Sequence, residues 1–271
     1  MIRHVTKEDI LTRNNVTING TGEKVLMLAH GFGCDQRMWR FVSSKLSKRY
    51  TLVMFDYVGS GNSDLSSFSV EKYSNLTGYA QDVLDIINVL SLKNITFVGH
   101  SVSSMIGLIA SMDTSSAIAE LVMVCPSPCF LNDLPEYEGG FERSDLEELL
   151  QLMDKNYIGW ANYLAPLVMG ANSAEALVGE LSGSFCSTDP VVAKTFARAT
   201  FFSDYRSLLP QCTARTLILQ SASDSLASVK IGGYIHKHVA NSELEIIQAE
   251  GHCLHMTDPD VTADSIVKFI G

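Results

Sequence analysis

Short apolar, β-branched runs recur along the chain: Val25-Leu-Met-Leu28, Thr51-Leu-Val-Met-Phe55, Ile95-Thr-Phe-Val98, Leu121-Val-Met-Val124, Thr216-Leu-Ile-Leu219 and Leu244-Glu-Ile-Ile247. Their near-continuous apolarity predicts strands covered on both faces, as in a parallel sheet whose crossover helices bury each strand twice. From Gln36 to Leu46 the apolar residues Met38, Trp39, Val42 and Leu46 recur at helical spacing, and Val83, Ile86, Ile87 and Leu90 do so from Tyr79 to Leu90. Alternating strands and helices predict an α/β fold. The rhythm is interrupted after Val124, where about ninety residues pass before the next strand-like run at Thr216. That segment is helical in pattern, most clearly over Leu146-Glu-Glu-Leu-Leu-Gln-Leu-Met153. Because the sheet rhythm resumes afterwards, residues 126–205 are read as a helical cap inserted into a core of 1–125 and 206–271, in preference to a second independent domain. Such caps sit over the carboxyl ends of the strands, where open α/β sheets bind ligands.

Composition narrows the function classes. The 271 residues are 46% hydrophobic and 18% charged, which predicts a sizeable core and excludes general disorder. Twenty Lys+Arg against 30 Asp+Glu leave a net charge of −10, which repels phosphate backbones and anionic headgroups, so neither nucleic acid nor membrane is expected as a partner. The longest apolar stretches, Val25–Ala29 and Met105–Ala110, fall far short of the ~20 residues of a membrane span. The opening Met1-Ile-Arg-His-Val-Thr-Lys-Glu-Asp-Ile10 places charges where an export signal needs an apolar centre, so a cytoplasmic location is expected. Six cysteines in such a chain read as reduced thiols. Cys125 and Cys129 lack a second pair at finger-like spacing, so no metal and no cofactor is expected.

The strongest chemical signal is Gly99-His-Ser-Val-Ser103, a strand passing without a loop into a helix-compatible run. This is the pattern of a nucleophile elbow, a turn so tight that the residues two before and two after the serine must be small. Ser103 departs from the glycine of Gly-x-Ser-x-Gly, and its small side chain is expected to be tolerated. A serine hydroxyl needs a base, and the base needs an acid to fix its tautomer. Asp224 follows the run ending at Gln220, and His252 follows the run ending at Ala249, giving the chain order Ser101…Asp224…His252. His255 competes with His252, and Asp204 is the reserve acid. His100 points away in a tight elbow, His30 belongs to another loop, and His236 and His238 fall on a surface helix. His30-Gly-Phe-Gly33 follows the first strand and can turn an amide inward, so the N–H groups of Phe32 and Val102 are the candidate oxyanion donors. Asp56-Tyr-Val-Gly-Ser-Gly61 lacks the third glycine and the immediate helix of a dinucleotide loop and is expected to shape the site's border.

Together His30-Gly-Phe-Gly33, Asp56–Gly61, Gly99-His-Ser101, Asp224 and Gly251-His252 resemble α/β-hydrolases over essentially the entire chain. Gly31-Phe-Gly-Cys-Asp-Gln36 with Trp39, Gly78-Tyr-Ala-Gln-Asp82, Cys125–Asp133, Gly139-Gly-Phe-Glu142, Asn156-Tyr-Ile-Gly-Trp160 and Phe202-Ser-Asp204 narrow the resemblance. They are similar to the RsbQ-like bacterial stress regulators and their relatives, the plant karrikin and strigolactone receptor hydrolases. The resemblance implies an eight-stranded core sheet, a four-helix cap over an apolar pocket, and the triad Ser101, Asp224 and His252. It implies pocket residues Phe32, Phe130, Leu149, Trp160, Leu164 and Phe201, and a Ser228 where relatives have proline. It further implies a carboxylic ester hydrolase acting slowly on a small hydrophobic ester- or lactone-like compound, in stress signalling with an RsbP-like partner phosphatase. The alternatives are a stand-alone metabolic carboxylesterase or lactonase, and a ligand receptor with vestigial hydrolysis.

Overall fold

The computed structural model describes residues 6–113 and 117–271. Among them, seven strands form one sheet in the order β1-β3-β2-β4-β5-β6-β7. They are β1 (Thr17–Asn19), β2 (Val25–Ala29), β3 (Thr51–Met54), β4 (Ile95–His100), β5 (Ile118–Val124), β6 (Arg215–Ser223) and β7 (Ser242–Glu250). Only β1 runs antiparallel to its neighbour; the other pairs are parallel. All six apolar runs fall on strands, with Phe55 one residue past the end of β3. The parallel sheet explains their lack of alternation. Leu26, Val98 and Leu217 pack on one face, whereas their chain neighbours Met27, Phe97 and Ile218 pack on the other. Strand β1, half-buried to exposed, carries no apolar run that could announce it.

The helices are α1 (Lys7–Arg13), α2 (Arg40–Leu46), α3 (Val70–Tyr73), α4 (Leu76–Val89), α5 (Val102–Ser111), α6 (Arg143–Lys155), α7 (Tyr157–Met169), α8 (Glu175–Ser187), α9 (Pro190–Phe201), α10 (Val229–His238), α11 (Leu254–Thr257) and α12 (Pro259–Ile270). The helix expected over 36–46 is a 3₁₀ turn, Gln36–Trp39, leading into α2. Eight strands are corrected to seven among the described residues. Ahead of β1 the chain forms α1, whose start is fixed by Thr6 and Asp9 capping each other's backbone N–H reciprocally. Helices α6 to α9 lie between β5 and β6 and build their own apolar cluster, in which Trp160, Leu164, Phe185 and Phe201 meet Cys34 and Met38 from the core.

Candidate active site

Strand β4 delivers Gly99, His100 and Ser101 directly to the first residue of α5, Val102. Ser101 has φ 56° and ψ −122°, a left-handed backbone conformation that L residues adopt at a cost of ~1–3 kcal/mol. The surroundings hold it there: Ser101 N–H donates to Val124 O at 2.8 Å. Gly99 is required, since a Cβ there would lie 2.5 Å from the Ser103 carbonyl oxygen. The departure at Ser103 produces a tie and no clash. Its buried hydroxyl donates to His30 O at 2.5 Å, which leaves it to accept from the Tyr57 hydroxyl at 2.9 Å. The elbow helix is thereby bonded to the residue that begins the His30–Gly33 turn.

The three residues singled out for the triad meet. Ser101 Oγ lies 2.7 Å from His252 Nε2, and His252 Nδ1 lies 2.7 Å from Asp224 Oδ2. A carboxylate only accepts, so Nδ1 carries the proton and Nε2 is left to accept from the serine hydroxyl. The other oxygen of Asp224 accepts from the amides of Leu226 at 2.8 Å and Ala227 at 3.1 Å, which orients the carboxylate. Two links from the cap hold these loops. His252 N–H donates to Val168 O at 2.7 Å, and Ser225 Oγ donates to Leu167 O at 2.7 Å, so the end of α7 rests on the loops that carry both Asp224 and His252.

Val102 is the first residue of α5, so its N–H has no partner within the helix. Among the described residues the Phe32 amide has no backbone acceptor either. Gly31 makes room for this turn: a Cβ there would lie 2.5 Å from His100 Nδ1 and 3.4 Å from Ser101 Cβ. The ring of His30 fixes the turn from behind. Its Nε2 accepts from Tyr57 N–H at 3.1 Å, so its Nδ1–H donates to Gly31 O at 2.8 Å. Asp56 braces the adjoining loop, accepting from the amides of Gln36 and Asn62, both at 2.9 Å.

The remaining candidates are elsewhere. Asp204 pairs with Arg206 at 2.6 Å. His236 and His238 lie on α10. His255 is fully buried between Trp39 and His100, its ring tilted against both with centroids 4.6 and 4.3 Å away. Burial first, and then the nearby His252, push its pKa down to about 3, so it stays neutral. His100 Nε2–H donates to the carbonyl of His252 at 2.9 Å, supporting the backbone there, and burial likewise holds it neutral. Cys125 Sγ joins Asp224 and His252 within 4.8 Å, the one metal-capable group among the described residues. Burial pushes the Cys125 thiol well up and keeps it protonated, while His252 Nδ1 and Asp224 are bonded to each other.

A largely apolar cavity of about 30 Å³ opens onto Ser101, and Phe32, Phe130, Leu164 and Phe201 of the expected pocket line it. Trp160 stands behind Phe32, with ring centroids 6.1 Å apart. Leu149 lines a separate outer groove of about 630 Å³ in the cap. Cys34, which follows the His30–Gly33 turn, and Cys253, which adjoins His252, also line the inner cavity, as does Leu226, which no local pattern marks because its loop is distant in the chain. Burial keeps the thiols of Cys34 and Cys253 protonated, and so poor nucleophiles.

A profile of the alpha/beta hydrolase fold matches residues 24–259. The chain belongs to the α/β-hydrolase family. This α/β-hydrolase is 37% identical over 258 residues to a karrikin insensitive 2 receptor from Petunia hybrida, covering 95% of both chains. It is 34% identical over 256 residues to a strigolactone esterase from Arabidopsis thaliana, covering 94% of this chain and 95% of that one. A solved hydrolase structure from Oleispira antarctica superposes with TM-score 0.96 at 61% identity, covering 98% of this chain and 97% of that one. No described helix of the hydrolase is long and apolar enough to cross a membrane.

Proposed function

We propose that this α/β-hydrolase is a serine esterase or lactonase in which Ser101 is the nucleophile, His252 the general base and Asp224 the orienting acid. The observation that carries the reading is the continuous Ser101–His252–Asp224 chain, with both contacts at 2.7 Å. His252 Nε2 takes the hydroxyl proton as Ser101 Oγ bonds to the substrate's carbonyl carbon, and the carbonyl oxygen's developing charge is met by Phe32 N–H and Val102 N–H. Collapse of the tetrahedral intermediate breaks the C–O bond, and the departing alkoxide takes the proton back from His252. Water then attacks the acyl-serine by the same route and releases the acid; a lactone keeps its alcohol tethered. The largely apolar cavity supports a small hydrophobic acyl group.

The proposed biological output is signalling through a partner phosphatase; one relative is named a receptor and another an esterase, which supports a signalling role beside hydrolysis. The assembled triad favours active hydrolysis over a receptor in which hydrolysis is vestigial. A fluorophosphonate probe followed by peptide mapping tests the chemistry: the adduct is expected on Ser101 and is lost in Ser101→Ala, with turnover of p-nitrophenyl acetate falling at least 10³-fold. Labelling elsewhere, or full turnover by Ser101→Ala, overturns it. Stoichiometric recovery of a phosphatase with the tagged protein from native extract tests the output; recovery of none refutes the partner.

A further inference from the structure

The inner cavity and the outer groove are separated by shared side chains: Leu164 of α7, Phe201 of α9 and Leu226 of the acid loop line both. The inner space is narrow, about 30 Å³, and Leu164, Phe201 and Leu226 close it toward the groove, so an acyl tail too long for it extends beyond Ser101 only where one of these walls yields. Leu164 and Phe201 are buried in the cap, while Leu226 is half-buried on a loop. The outer space, about 630 Å³, is walled mainly by apolar residues, including Leu149, Leu152 and Leu167. The charged groups on its wall are Asp145 and Glu148, both exposed carboxylates, and no basic residue lines it.

Building on the serine-hydrolase reading, we infer that Leu164, Phe201 and Leu226 form a movable partition through which the substrate's tail passes, so that the reacting carbonyl sits at Ser101 and an uncharged apolar tail lies in the groove between α6 and α7. Continuity with the cavity at Ser101 identifies the occupant as the substrate itself. The two carboxylates at the rim select against an anionic tail. The partition also touches the chemistry, because the amide of Leu226 is one of the two that hold Asp224 Oδ1. Displacing that loop to admit a tail shifts the acid's support, and the triad is re-formed only when the loop closes on a tail that fits.

Methyl esters from acetate to octanoate, followed by proton release, test the partition, with monomethyl suberate as the anionic tail. Each added methylene beyond butyrate is expected to raise kcat/KM about threefold to fourfold until the groove is filled. Leu149→Trp, which fills the groove without lining the inner cavity, is expected to lower the octanoate-to-acetate ratio at least tenfold. Leu226→Ala is expected to raise that ratio, chiefly through KM. Asp145→Asn combined with Glu148→Gln is expected to raise the suberate-to-octanoate ratio about tenfold. Hydrolysis that depends on Ser101 but shows the same tail-length and tail-charge profile in all three variants overturns the partition. Ester hydrolysis that persists in Ser101→Ala overturns the underlying hydrolase assignment instead.

Discussion

His255 makes acid lability a quantitative prediction. The ring is fully buried between Trp39 and His100, and its pKa is pushed down to about 3 by burial and by neighbouring positive charge. In the unfolded chain the same imidazole takes a proton near pH ~6.5. The unfolded state therefore binds more protons than the folded state between about pH 6.5 and pH 3, and stability is lost as pH falls through that window. The linkage from this single residue amounts to ~2 kcal/mol at pH 5 and ~3 kcal/mol at pH 4. His100 and His30, both lowered by burial, act in the same direction. His255→Phe keeps an aromatic ring against Trp39 and removes the titration. For a chain of this size each kcal/mol corresponds to ~2–4 °C in Tm, so between pH 7 and pH 5 the wild type is expected to lose ~4–8 °C more than the variant. Circular dichroism melts at pH 7, 6 and 5 measure this. Parallel Tm curves for the two proteins would refute the assignment of a buried, neutral His255.

Further perturbations probe the elbow and the acid loop. Asp224→Asn removes the charge that supports an imidazolium and presents an amide to His252, and is expected to cut kcat by ~10³–10⁴ with little change in Tm; kcat within threefold of wild type would contradict the proposed acid. Gly99→Ala forces a Cβ to within 2.5 Å of backbone at Ser103, so little soluble protein is expected, and a Tm within 2 °C of wild type would show that the elbow can relax. Ser103→Ala strips the hydroxyl that receives Tyr57 and reaches His30 O, at an expected cost of ~1–3 kcal/mol in urea unfolding, together with slower turnover from a loosened oxyanion turn. Ser228 has φ −65° and its N–H has no partner among the described residues, so Ser228→Pro is expected to add ~0.4–1 kcal/mol by restricting the unfolded chain. A fall in Tm would mean that the acid loop needs that freedom.

Much of the architecture is legible in local pattern. A strand buried on both faces must be apolar nearly throughout, so the six parallel strands stand out, as does the interruption that α6 to α9 fill. The elbow is equally local, because its tight turn dictates small residues at fixed offsets around Ser101. The partners of that serine could be proposed because acid and base follow the ends of β6 and β7, and parallel topology gathers those ends along one edge. The exposed edge strand β1 leaves no such trace, since it is not held by a continuous apolar run.

The tertiary structure alone decided the rest. That His252 and not His255 meets Ser101 depends on which side of the turn after β7 each ring faces, and both rings belong to buried, apolar surroundings that composition cannot tell apart. The division of the pocket into an inner cavity and an outer groove arises where α7, α9 and the acid loop converge, more than sixty residues apart in the chain at their extremes. Sequence specifies what each segment buries, because that is governed by neighbours a few positions away. Which buried faces meet, and how much space they leave, is governed by the packing of distant segments against one another, and that is where the shape of the substrate is set.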